Sequence, residues 1–142
     1  MAVRPNQRIT STTPPAVEVL AKTVQIARTD TTAFDAFTLP KYAVLAGVYV
    51  LGVTNSDATT TAVLHLGTNP GTTNEVLTSF SVLSTTGQGY HPAGVAAGTK
   101  IGVQLTADTL IKAVYTASGA ETTGGPWVVK AEYYIPPQGY TF

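Results

Sequence analysis

Two histidines, eight acidic residues and eight Lys or Arg are the side chains here that could support acid–base or metal chemistry. His65 lies mid-way along an alternating segment, on its polar parity, and reads as a surface or interface residue. His91 sits beside Tyr90 in a glycine-rich stretch, and a loop histidine is better placed to touch a ligand than one in a strand. Its plainer role is that of a polar turn residue. Asp30, Asp35, Asp57, Glu75, Asp108 and Glu121 fall mostly in turn-like stretches, where Asp is favoured because its side chain bonds the local backbone. Lys130 and Glu132, two apart on one face of a strand, read as a solvated or interfacial pair. Glycoside hydrolysis needs two carboxylates about 5 to 10 Å apart, and spacing along a chain does not settle that distance. There is no His-x-x-x-His, no Glu-x-x-His, no EF-hand spacing, no nucleophile elbow and no phosphate-binding glycine loop. Cysteine is absent, which removes disulfides, thiolate zinc sites and cysteine nucleophiles. The expectation is a protein that is not an enzyme and uses no metal or cofactor.

The charges are few as well as scattered. Only 11% of the 142 residues are charged, against roughly 25% in an average soluble domain, and the net charge is zero. Arg4, Arg8, Lys22, Arg28, Lys41, Lys100, Lys112 and Lys130 form no basic run. Nucleic-acid binding draws on clustered cations that displace counterions, so it is not expected, and neither is electrostatic docking on a membrane. A neutral chain this poor in charge is weakly protected against self-association, which points to binding between protein surfaces. The start, Met1 followed by Ala-Val-Arg-Pro-Asn-Gln-Arg, has no apolar signal region, so synthesis in the cytoplasm without secretion is expected. The longest apolar run, residues 42–53, is too short for a membrane helix of about 20 residues.

Any site must be positioned by strands. Threonine occurs 25 times, with 13 Gly and 9 Pro as punctuation. Thr is stiff at its branched carbon, suits pleated strands, and caps turns with its hydroxyl. Residues 1–16, with Pro5 and Thr-Thr-Pro-Pro at 12–15, read as an extended arm. Strand signals start at Val17, and Val17, Val19 and Ala21 give way to Val24 and Ile26 on the opposite parity, which predicts a bulge or a change of sheet near Lys22–Thr23. A strand with Phe34 and Phe37 ends at Leu39-Pro40. Residues 61–66 place Ala62, Leu64 and Leu66 inward. For residues 72–83 a short helix competes with a strand, since Thr72 and Glu75 have capping-box spacing; a strand over 78–83 is preferred. Ile101, Val103 and Leu105 form a further inward face, and residues 110–115 follow as a strand. The cleanest alternation puts Trp127, Val129, Ala131, Tyr133 and Ile135 on one side. A tail at 138–142 carries Tyr140 and Phe142. About eight strands at this spacing fit a β-sandwich or a small barrel, and the first choice is an all-β antiparallel β-sandwich over 17–137, jelly-roll-like, with an extended N-terminal arm.

Residues 42–53 carry the functional argument. Tyr42, Val44, Ala46, Val48 and Val50 are apolar on one parity, and Ala43, Leu45, Tyr49, Leu51 and Val53 on the other. A strand covered on one side alternates, so this one is expected to be covered on both; a buried helix would also fit the run, but its β-branched and aromatic content and the glycines at 47 and 52 favour a strand. The second cover would be another polypeptide, which makes Tyr42, Val44, Val48, Tyr49 and Val50 candidate subunit or capsid contacts, joined by Tyr140 and Phe142 in the tail. Trp127, on an inward parity, is read as core.

Residues 37–50, Phe-Thr-Leu-Pro-Lys-Tyr-Ala-Val-Leu-Ala-Gly-Val-Tyr-Val, and residues 60–68, Thr-Thr-Ala-Val-Leu-His-Leu-Gly-Thr, resemble tailed-bacteriophage virion proteins. The group comprises capsid decoration (cement) proteins, head fibres and related sandwich modules, and the resemblance covers roughly the stretch 32–84. It implies a jelly-roll-like sandwich, commonly a homotrimer, seated at local symmetry axes on the capsid surface. Its partners would be its own copies and the major capsid protein or another virion protein. No catalytic residues come with the group. Either head or tail is open as a location. The alternative from another class is a carbohydrate- or receptor-binding module of a phage fibre or tail, with Tyr90 and His91 as the candidate contacts.

Overall fold

The computed structural model describes residues 17–52, 54–83 and 98–137, and no helix occurs among them. Its strands are β1 (Leu20–Ile26), β2 (Phe34–Leu39), β3 (Val44–Gly52), β4 (Thr61–Gly67), β5 (Leu77–Ser81), β6 (Thr109–Ser118) and β7 (Trp127–Tyr134). They form a three-stranded sheet, β1-β7-β3, and a four-stranded sheet, β2-β6-β4-β5, antiparallel throughout.

That strand order is the jelly-roll order with one position left irregular. An eight-stranded roll would place a strand between β5 and β6 in sequence, along the free edge of β3. The stretch 101–105 lies there. Leu105 N–H donates to Ala43 O, Tyr42 N–H donates to Leu105 O, and Gly102 N–H donates to Leu45 O at 2.8 Å. Gly102, at φ +77, takes a conformation a pleated strand does not use, so the pairing stays at isolated bridges. Leu105 is buried, Ile101 packs against the core, and Val103 is 44% exposed. The expected inward face of three residues therefore holds at two of them.

The core forms where the two inner faces meet. β7 supplies Trp127, Val129, Ala131 and Tyr133, β4 supplies Ala62, Leu64 and Leu66, and β6 supplies Ile111, Ala113 and Tyr115. Ile135, expected on the same face as Trp127, lies past the end of β7 and is exposed. In β2, Phe34 and Phe37 have opposite parity, yet both pack inward because the register shifts between Asp35 and Phe37. β1 corrects the expected bulge or change of sheet at Lys22–Thr23, since its pairing with β7 runs unbroken from Leu20↔Tyr133 to Ile26↔Trp127. The parity change arises because Val17 and Val19 precede β1 and are exposed. Residues 72–75 are not helical: Thr73 bridges back to Asn69 across a turn, and the Glu75 carboxylate accepts from the N–H and the hydroxyl of Thr68 (2.8 and 2.7 Å). That bond, not a helix cap, explains the Glu75 signal.

Candidate assembly interface

β3 is a strand, and its two-sided apolar character has a local cause. The pairing with β7 shifts register between Leu45 and Gly47, so Ala46 is an extra residue. Before the bulge Leu45 faces Tyr133 on the inside and Val44 faces Tyr134 on the outside. After it, Val48 and Val50 lie opposite Ala131 and Val129 on the inside, while Tyr49 and Leu51 lie opposite Lys130 and Val128 on the outside. One extra residue thus puts Val48 and Val50 on the face opposite to that of Val44, although all three share a parity.

This divides the candidate contact residues. Val48 and Val50 belong to the core, and Val44, on the outer side of the sheet, is covered within the single chain; all three are only 2–3% exposed, so the expectation that they meet a partner is corrected. What remains at the surface is Ala46, half-buried Tyr49, Leu51 at 48% exposed, and Tyr42 at 39%. Tyr42 has φ +73 and lies under the Lys41 ammonium, 4.8 Å from its ring centre. The Tyr49 ring lies flat on the strand: a Cβ at residue 47 would sit 3.0 Å from its hydroxyl, so Gly47 makes the ring's seat. Lys130 Nζ is 5.8 Å from that ring and 3.0 Å from a Glu132 carboxylate oxygen. The outer face of the three-stranded sheet is therefore a mixed surface, with Leu51 the most exposed large apolar side chain of β3. Tyr90, His91, Tyr140 and Phe142, like the arm 1–16, lie outside the described residues.

The polar groups that converge do so for structure. At one end of the sandwich Ser56, fully buried, donates to Glu121 at 2.5 Å and accepts the N–H of Ala58. The Tyr115 hydroxyl meets both Ser56 and Glu121. Burial first, then the Glu121 carboxylate, pushes the Tyr115 phenol up to about 12, so it remains a donor. Asp57, beside them, accepts from the Thr122 hydroxyl (2.6 Å) and from the N–H groups of Thr122 and Thr123 (both 2.9 Å). Together these bonds fasten the β6–β7 connection to the β3–β4 connection. Catalysis needs a reactive group that substrate can reach, and Ser56 is sealed. His65 is held elsewhere: the Ser79 N–H donates to its Nδ1 at 3.1 Å, and burial lowers its basicity. Among the described residues no group of three or more His, Asp or Glu has the arrangement to hold a metal ion. Sequence reading missed the Ser56–Tyr115–Glu121 cluster, because its members are up to 65 positions apart and each alone looks like an ordinary strand or turn residue.

These elements define an antiparallel jelly-roll sandwich, and among the described residues the converging polar groups brace it. No protein-family model and no curated protein sequence matches the chain. Solved structures do. A chain of the cyanophage Pam1 capsid asymmetric unit is 21% identical with a TM-score of 0.57, over 96% of this chain and 94% of that one. A chain of the acidic stable capsid structure of Helicobacter pylori bacteriophage KHP30 is 13% identical, also at 0.57, over 88% and 92%. At these identities the likeness is one of fold.

Proposed function

We propose that this chain is a structural component of a phage virion, and within that class a capsid decoration protein that binds the outer lattice of the head and stabilises it. The observation that carries this reading is the two-way coverage. The likeness to both phage capsid chains spans nearly all of this chain and nearly all of theirs, so it does not rest on a shared fragment. The reading is further supported by a surface that is neutral overall, with apolar residues such as Leu51 and Tyr42 exposed, and by polar clusters that are used for bracing. The protein acts without catalysis. Its partners are the major capsid protein or another virion protein and its own copies, arranged as a homotrimer in keeping with the resemblance. Repeated attachment through several copies multiplies contacts that are weak singly.

Purified particles of the phage that encodes this chain provide the test. The expected result is the protein in a copy number proportional to the capsid lattice, released before the shell itself comes apart on heating. Particles that lack it, or carry only a handful of copies at one vertex, would overturn the decoration reading. Sedimentation of the isolated protein tests the trimer, which a monomer at micromolar concentration would exclude.

A further inference from the structure

We infer that β1 is a register-specific self-docking edge, on which a second copy of this chain pairs its own β1 antiparallel about a two-fold axis.

The three-stranded sheet ends at β1, which pairs with β7 on one side and, among the described residues, with no strand on the other. Open edges of this kind template pairing with another chain unless something blocks it. Apolar side chains lead into this edge: Val17 and Val19, just before β1, are 43% and 60% exposed, and Leu20, its first residue, is partly buried and packed against the core, while the exposed residues of β1 itself are Ala21, Thr23 and Gln25. Lys22 interrupts them. It has the parity of Leu20, Val24 and Ile26, which face the core, yet it stays half exposed. An inward-facing lysine on an edge strand ordinarily prevents indiscriminate pairing, because any apolar residue set opposite it leaves the ammonium desolvated and unpaired.

One register removes that obstacle. Between residues 17 and 26 the only carboxylate is Glu18, and pairing two copies so that Glu18 lies opposite Lys22 of the second copy makes the reciprocal pair automatically. The two-fold axis then passes through Leu20. Leu20 meets its counterpart on the core side, flanked by two Glu–Lys pairs, and Val19 meets Ala21 on the outer side. Cross-strand charge pairs of opposite sign favour a register and like pairs disfavour it. Sliding the strands by two residues each way loses both ion pairs, and a slide that centres on Lys22 sets two ammoniums face to face. Lys22 therefore selects the register as well as guarding the edge. The product is a six-stranded sheet, β3-β7-β1 continued into its mate, with the core extended through Leu20. A two-fold contact joins two copies only, so in a trimeric assembly it links neighbouring trimers. It stands whether or not the virion reading does.

Charge reversal and cysteine mapping test this together on the full chain. E18K and K22E each oppose like charges twice, and each is expected to weaken self-association through this edge about tenfold or more. Mixing the two variants sets an edge bearing two ammoniums against an edge bearing two carboxylates, so both cross-strand pairs are again of opposite sign. Association between unlike partners is then expected to return to the level of the unaltered protein. Because the chain has no cysteine, Leu20→Cys is expected to form a dimer linked across the axis under mild oxidation, while Gln25→Cys does not. Association that is indifferent to either charge reversal overturns the inference. So does a mixture that fails to restore it, or a Leu20→Cys variant that stays uncrosslinked while the protein associates. Edge protection in every copy without crosslinking would likewise overturn it, by showing that the edge is covered from within one chain.

Discussion

Tyr115 and Trp127 stack with ring centres 5.0 Å apart and planes 25° from parallel, and they belong to different sheets, β6 and β7 respectively. Each is about 1% exposed, so the stack joins the two layers directly. Beyond the area it buries, such a pair contributes about 0.5 to 1.5 kcal/mol. The Tyr115 hydroxyl then ties the stack to Ser56 and Glu121 at the end of the sandwich.

Tyr115→Phe separates these roles, because it keeps the ring and removes the donor. It is expected to lower unfolding stability in urea by about 1 to 2 kcal/mol, the cost of leaving Ser56 and Glu121 with one partner fewer. Tyr115→Ala, which also empties the core at the stack, is expected to cost about 3 to 5 kcal/mol.

The same phenol sets a limit at high pH. Its ordinary value is near 10 and it is pushed up to about 12 in the fold. Between those values the unfolded chain has released this proton and the folded chain has kept it, so stability falls as pH rises from 10 towards 12 and is unaffected below 10. Tyr115→Phe is expected to remove that part of the alkaline loss, read as a flatter plot of urea midpoint against pH.

Much of this was legible from residue order. β4 and β7 carry unbroken alternation, and Ala62, Leu64, Leu66, Trp127, Val129, Ala131 and Tyr133 all point inward as that alternation requires. The parts that were not legible share one cause. A bulge adds one residue and flips every later side chain, so Val44 and Val48, two residues of like parity at 44 and 48, end on opposite faces, and the apparent outer stripe of β3 was half interior. In Leu-Ala-Gly-Val only Gly47 hints at the extra residue, and nothing marks it as Ala46. The polar brace of Ser56, Tyr115 and Glu121 was hidden for a different reason, since it depends on which loops the topology brings to one end.

Asp57 is expected to give the fold an acid limit. The Thr122 hydroxyl, then the N–H groups of Thr123 and Thr122, hold its carboxyl well below the usual carboxylate range. A group depressed in this way supports the fold above its ordinary value of about 3.9, and the support is lost as pH falls below it. Asp57→Asn is expected to unfold at a lower temperature at pH 7 and to show a shallower loss between pH 4 and 2, by calorimetry across that range.

His65 should register at milder acidity. Burial lowers its affinity for a proton, and its Nδ1 already accepts from the Ser79 N–H, a bond that a proton on Nδ1 would displace. The unfolded histidine protonates near its ordinary value of about 6.5 while the folded one does not, so stability is whole above that pH and declines as pH falls through the lowered value. His65→Gln is expected to flatten the stability profile between pH 7 and 5, measured by chemical denaturation at half-unit steps.

The division of β3 into an interior and an outer face yields the sharpest functional test. Leu51 is 48% exposed and Val50, its neighbour, is 3% exposed on the core side. Leu51→Asp touches no buried contact of the core, so its unfolding midpoint is expected to shift little, within about 0.5 kcal/mol. If the outer face of the three-stranded sheet is what meets a virion partner, the same change places a charge in an apolar contact and is expected to reduce binding to undecorated heads at least tenfold in a pelleting assay. Val50→Asp is expected to do the reverse, destabilising the fold itself by burying an unpaired carboxylate. Full binding by a folded Leu51→Asp protein would show that attachment uses another surface, and would leave the three-stranded face without a part in it.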